Sequence, residues 1–162
     1  MIYHKSSVKI LFVIIITSLS GCSETRMDPC ELLSVSDVKE IDNKVSVSLW
    51  AGRGGKKKDD EVCMFYTDKG DPRVMLFVWY DKNKTPRDLV TKGTKDSSNE
   101  ILDLDIPGKE VTASFSDENL KLLAVKSSDG IIGLRVRKPV VKDSTEFDTL
   151  LDLSDKALSK IK

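Results

Sequence analysis

The residues able to do chemistry in this 162-residue sequence are few, because its single histidine, His4, lies in an N-terminal stretch read below as a removable leader. The rest of the chain therefore has no Ser-His-Asp or Cys-His catalysis, no histidine-based zinc site and no imidazole as general base near neutral pH. Ser36-Asp37-Val38-Lys39 contains a Ser-x-x-Lys, the spacing of a serine–lysine nucleophile. It falls at a capped helix start, where a solvated face is the plainer account. Asp103 and Asp105 are two residues apart and would share one face of an extended segment, as paired carboxylates in glycoside hydrolysis require. No aromatic sugar platform neighbours them. Asp96, Asn99, Glu100, Asp103 and Asp105 supply oxygen ligands of the kind calcium takes, at a spacing that does not fit an EF-hand loop. No metal site, cofactor or catalytic residue is expected.

Gly52-Arg53-Gly54-Gly55-Lys56-Lys57-Lys58 invites a phosphate-loop reading and fails it twice. A P-loop needs glycine five positions before the Gly-Lys pair and Ser or Thr after it. Here those positions hold Trp50 and Lys57. The segment reads instead as a flexible hairpin loop. Its lysines Lys56, Lys57 and Lys58 would add about 1 kcal/mol each at most against anionic headgroups, opposed by Asp59, Asp60 and Glu61. A binding site is expected between this loop and the adjoining sheet, with Trp50 and Arg53 at a pocket mouth.

The elements that would position these residues follow from pattern. Ser34 caps a helix with Asp37 as the capping-box acid and Leu33 stapled to Val38, ending near Ile41 to Asn43. Val45, Val47 and Leu49 alternate with serines as a half-buried strand, and a second strand runs from Glu61 to Thr67. After the Asp68–Pro72 turn, Arg73 to Tyr80 is apolar on both faces, as a strand covered on both sides requires. Thr85-Pro86-Arg87-Asp88 starts a short helix to about Lys92, and Lys95 to Asn99 is a loop. Val111–Phe115 is a strand, and Leu120–Lys126 with Ile131–Lys138 a hairpin. Asp143 and Glu146 fit a capping box for a last helix with stripe Phe147, Leu150, Leu151, Ala157, Leu158 and Ile161. The expected fold is α+β: an antiparallel sheet of about six strands packed with two or three helices.

The N-terminus has a basic start (Lys5, Lys9), an apolar run from Ile10 to Ser18, and small residues before a cysteine. This is the build of a secretory leader, and the run is about half the length of a spanning helix. The competing reading is an uncleaved anchor. Leu19-Ser20-Gly21-Cys22 resembles the lipobox of bacterial lipoproteins. The resemblance implies cleavage after Gly21, acylation of Cys22, a lipidated tether over 22–28, and one domain over 29–162. The location it implies is the cell envelope, on the periplasmic face of the outer membrane where the host has two membranes. Lipidation of Cys22 leaves Cys30 and Cys63 in an oxidising compartment, where a disulfide persists. Closing that loop would contribute about 3–4 kcal/mol. Two free buried thiols are the alternative. Without residues 1–21 the chain carries 24 basic and 26 acidic residues, a balance that argues against nucleic acid as a partner.

Asp28-Pro29-Cys30-Glu31-Leu32-Leu33-Ser34 and Cys63-Met64-Phe65-Tyr66 resemble a family of small secreted lipoproteins of unknown function, whose domains are similar to PsbP-like α/β sandwiches. The family often shows a Gly-Leu/Ile-Gly segment before the last hairpin, and Asp105-Ile106-Pro107-Gly108 is a partial match. The resemblance implies a non-catalytic binding or interaction module with a protein or small-molecule partner. Two alternatives stand beside it: an immunity or protective lipoprotein that sequesters a secreted toxin, and a histidine-free hydrolase.

Overall fold

The computed structural model describes residues 27–53, 60–81, 83–94 and 98–161. The leader 1–21, Cys22, the tether up to residue 26, Lys56–Lys58 and residues 95–97 of the Lys95–Asn99 loop lie outside them.

The chain starts with two one-turn helices, α1 (Pro29–Leu32) and α2 (Val35–Val38). Asp28 caps α1 by accepting from the Cys30 N–H at 2.8 Å, and proline occupies its first turn, where no donor is lost. The expected capping box of α2 is present. Ser34 N–H donates to Asp37 Oδ2 at 2.9 Å, and Asp37 N–H donates to Ser34 Oγ at 3.2 Å. A cap needs extended backbone, so Leu33 and Ser34 break what would otherwise be one helix. Hydrogen-bonded turns carry α2 on to Asp42.

The remaining elements are β1 (Val47–Arg53), β2 (Asp60–Tyr66), β3 (Pro72–Trp79), α3 (Pro86–Gly93), β4 (Glu100–Ile106), β5 (Lys109–Ser116), β6 (Asn119–Lys126), β7 (Ile131–Val136) and α4 (Thr145–Leu158). All seven strands form one antiparallel sheet of order β1-β2-β3-β7-β6-β5-β4. After β3 the chain crosses through α3 to the far edge and meanders back, so β7 closes against β3. Among the described residues the fold is thus mixed α+β, with four helices and one strand more than expected. The additional strand is β4. Its sequence EILDLDI sets acids among apolar residues that are only half-buried, so it lacks the apolar run that marks an interior strand.

One face of the sheet carries the main core. Phe65, Val74, Leu76, Val78, Leu123, Ile132 and Leu134 pack there with Leu32, Leu33, Val38, Leu150 and Ala157 from α1, α2, α4 and their connections. Cys30 and Cys63 are joined in a disulfide, Cα atoms 5.1 Å apart, which fixes α1 to β2. Among the described residues the opposite face is covered by α3, over β4, β5 and β6. Leu89 and Val90 meet Trp79, Leu122, Ala124 and Ile131 there.

Three expectations are corrected. Val45 is buried, but Val47 and Leu49 are exposed, because α3 does not reach across to β1. β3 is closed on its Val74–Leu76–Val78 face only; on the other, Trp79 is buried while Met75 and Phe77 stay half-buried. The cap of α4 is Ser144, not Asp143. Asp143 has φ +59°, outside the extended region that capping needs, and Ser144 Oγ accepts from Phe147 N–H at 3.3 Å.

Candidate functional site: a fork in the sheet

β6 and β7 pair from Lys126↔Ile131 to Leu123↔Leu134, and there their ladder stops. Beyond that point Arg135 and Val136 pair with β3, while Asn119, Leu120 and Leu122 pair with β5. The sheet therefore forks, and the segment after β7 closes the far side, with Leu120 N–H donating to Val140 C=O at 2.7 Å. A cleft of about 780 Å³ occupies the fork, bounded also by the C-terminal end of α3 at Gly93 and Thr94.

The floor is apolar, from Met75, Leu120, Val136 and Pro139, and the walls are cationic, from Lys121, Arg135 and Arg137. β-strand alternation places Arg135 and Arg137 on one face of β7. Lys121 is the residue skipped where the β5–β6 register shifts from Ser114↔Leu122 to Phe115↔Leu120, and a bulge of this kind re-aims a side chain. Arg135 is held from two sides. Its Nη2 donates to the Gly93 carbonyl at 2.7 Å, and its guanidinium carbon lies 5.9 Å from the Phe77 ring centroid. Phe77 is stacked on Trp79 at 5.4 Å. Trp79 in turn lies flat on β7 because Gly133 has no Cβ, which would meet the indole at 2.6 Å.

Six other cations are matched with acids. Arg73 pairs with Asp42 at 2.7 Å, Arg87 with Asp103 at 2.9 Å and Lys156 with Asp37 at 2.6 Å. Lys109, Lys126 and Lys138 pair with Asp155, Glu110 and Glu146. Among the described residues, Lys121, Arg135 and Arg137 have no carboxylate partner, and no acid lines the cleft. Asp117 and Glu118, in the turn between β5 and β6, lie outside its lining.

Of the residues singled out from sequence, Asn99 lines the cleft, while Trp50 and Asp103 stand elsewhere. Trp50 is 53% exposed on the edge strand β1, opposite Cys63, and Arg53 ends that strand. Trp50 does not line the fork. Asp103 is engaged as a clasp between α3 and β4. It accepts from Thr112 Oγ1 at 2.7 Å and from Arg87 at 2.9 and 3.1 Å, and these bonds hold its carboxyl below the usual carboxylate range. A carboxyl stabilised as the anion is a poor proton donor. Among the described residues no three His, Cys, Asp or Glu side chains are grouped to hold a metal, and no helix is long and apolar enough to cross a membrane. Sequence reasoning did not assemble the cationic trio, since Lys121 and Arg135 meet only through the β6–β7 fork. Compared with known proteins, the chain matches no family model, and no curated sequence matches it.

Proposed function

We propose that this is a lipid-anchored envelope protein whose domain, related to the PsbP-like α/β sandwiches, binds a ligand in the fork between β6 and β7 without transforming it. The observation that carries the reading is the fork itself: a cleft with an apolar floor and cationic walls, the make-up of a recognition site. The disulfide supports an oxidising compartment. The direction of the chain supports the anchoring. Met27 C=O accepts from Tyr80 Oη at 3.4 Å, at the end of the sheet opposite the fork. Five residues from Cys22 to Met27 span at most about 18 Å. An acylated Cys22 would hold that end near the bilayer and leave the cleft facing away from it.

Fractionation of the full chain and a Cys22→Ser variant tests the anchor. Wild type should stay with membranes until detergent is added, and the variant should be released; equal retention overturns the anchoring. Mass spectrometry of small molecules freed by denaturing the purified protein tests the binding role. Co-purification of a compound recovered unchanged supports it, and conversion of that compound on incubation with fresh protein overturns it. A second reading, sequestration of a secreted protein, is favoured by exposed Val47, Leu49 and Trp50 on edge strand β1.

A further inference from the structure

We infer that the fork takes a small amphiphilic anion, its phosphate or carboxylate group held by Arg135, Arg137 and Lys121 and its apolar part laid on Met75. This rests on the binding role proposed above and adds the chemistry of the ligand.

A half-buried guanidinium without a counter-charge is costly unless something satisfies it. Arg135 is half-buried, and one donor goes to the Gly93 carbonyl. A guanidinium has five N–H donors in a fixed plane, so the others remain for a ligand. The stacking of Phe77 on Trp79 and the contact of Arg135 with Phe77 hold that plane before any ligand arrives. Arg137, two residues on and on the same face, is about 7 Å away along the strand, a separation one tetrahedral or planar oxyanion can bridge with flexible side chains. Lys121 completes the set from the other branch of the fork. Arginine forks match phosphate and carboxylate oxygens in pairs, and a lysine adds a point charge. The neutral amides of Asn99 and Asn119, the hydroxyls of Thr94 and Ser116, and Lys138, paired with Glu146, complete the polar lining. A bare inorganic ion would leave the half-buried Met75 in contact with water, whereas an aryl or short alkyl group would cover it.

Phenyl phosphate, benzoate, inorganic phosphate and the cation benzylamine serve as probes, titrated calorimetrically into the disulfide-intact full chain. Phenyl phosphate or benzoate should bind saturably at one site, more tightly than inorganic phosphate, and weaken as salt is raised. The stronger of the two identifies phosphoryl or carboxylate as the natural group. Arg137→Gln and Lys121→Gln are on exposed side chains and should leave thermal unfolding unchanged, while each weakens binding by about tenfold or more. Saturable binding that both substitutions leave intact overturns the assignment of the trio. Preference for benzylamine overturns the anionic ligand while leaving the binding role standing. No binding by any probe, with a neutral compound co-purifying with the chain, overturns the inference alone; no co-purifying compound of any charge counts against the parent reading as well.

Discussion

On the face of the sheet beneath α1, α2 and α4, Phe65, Leu76, Leu134 and Leu150 have no access to solvent. On the opposite face of the same strands, Leu49 is 56% exposed and Met64, Met75 and Phe77 are half-buried. The contrast extends to polar groups. Ser154, buried in α4, donates to the Leu150 carbonyl at 2.8 Å. Trp79 Nε1 and Ser114 Oγ, on the α3 side, are buried without a partner among the described residues. The first face is anchored by the disulfide and by ion pairs such as Lys156–Asp37; the second holds the cationic cleft. A domain of this size needs only one closed face to be stable, and the other is then free to meet something else.

The largest expected effect lies where the two faces are compared at adjacent residues of β2. Phe65→Ala should cost about 3–5 kcal/mol, because it opens a cavity in packing that cannot collapse. Met64→Ala points the other way and should cost about 1 kcal/mol or less, since much of its surface already meets water. Urea unfolding of both variants gives the comparison directly. Similar losses would mean the second face is closed in solution.

Acid offers a second, smaller break, confined to the closed face. Burial disfavours the charge on Asp37, but hydrogen bonds from Lys156 Nζ and from the Ser34 N–H outweigh it and lower the Asp37 pKa from 3.8 to about 2. A folded pKa below the unfolded one means stability that is complete above about pH 4 and lost as pH falls through about 2, amounting to about 1–2 kcal/mol after allowing for the half-exposed lysine. Asp37→Asn should therefore lower stability at pH 6 and flatten the slope between pH 4 and 2. The Lys156 pKa is raised chiefly by the hydrogen bond to Asp37. Its contribution is present at neutral pH and fades only as pH climbs past the unfolded lysine value. An unchanged acid limb in Asp37→Asn would remove this pair from the account of the closed face.

The closed face was the more legible of the two in the sequence. Its signals are local: the Ser34–Asp37 capping box, the Val74–Leu76–Val78 alternation and, from the expected stripe of α4, Phe147, Leu150 and Ala157 stand as read. The pairing of Cys30 with Cys63 followed from assigning Cys22 to lipid, and the bridge is present. The open face depends on which strands a single short helix covers, and no local pattern encodes that. Val47 and Leu49 have the alternation of a buried strand and face solvent because α3 lies over the other half of the sheet. The cleft needed two further facts invisible in one dimension: that β7 returns to β3 across the sheet, and that β6 parts from it at Leu123. Acids drew notice on β4 by their spacing, yet Asp103 is occupied by Arg87 and Thr112.

The smallest expected effect is the sharpest probe of how open the second face is. Leu49→Ser removes a large apolar side chain from a strand, and in a covered sheet it would cost several kcal/mol. At 56% exposure on a sheet edge it should change stability by no more than about 0.5 kcal/mol. Val45→Ala, a smaller truncation at a side chain only 1% exposed, should cost more than that. Thermal unfolding of the two variants in the isolated protein sets the order. A reversal, with Leu49→Ser the worse, would mean that Val47 and Leu49 are covered in solution by something beyond the described residues. Concentration dependence of the effect would then identify a second copy as the cover, and its absence would point to the chain itself.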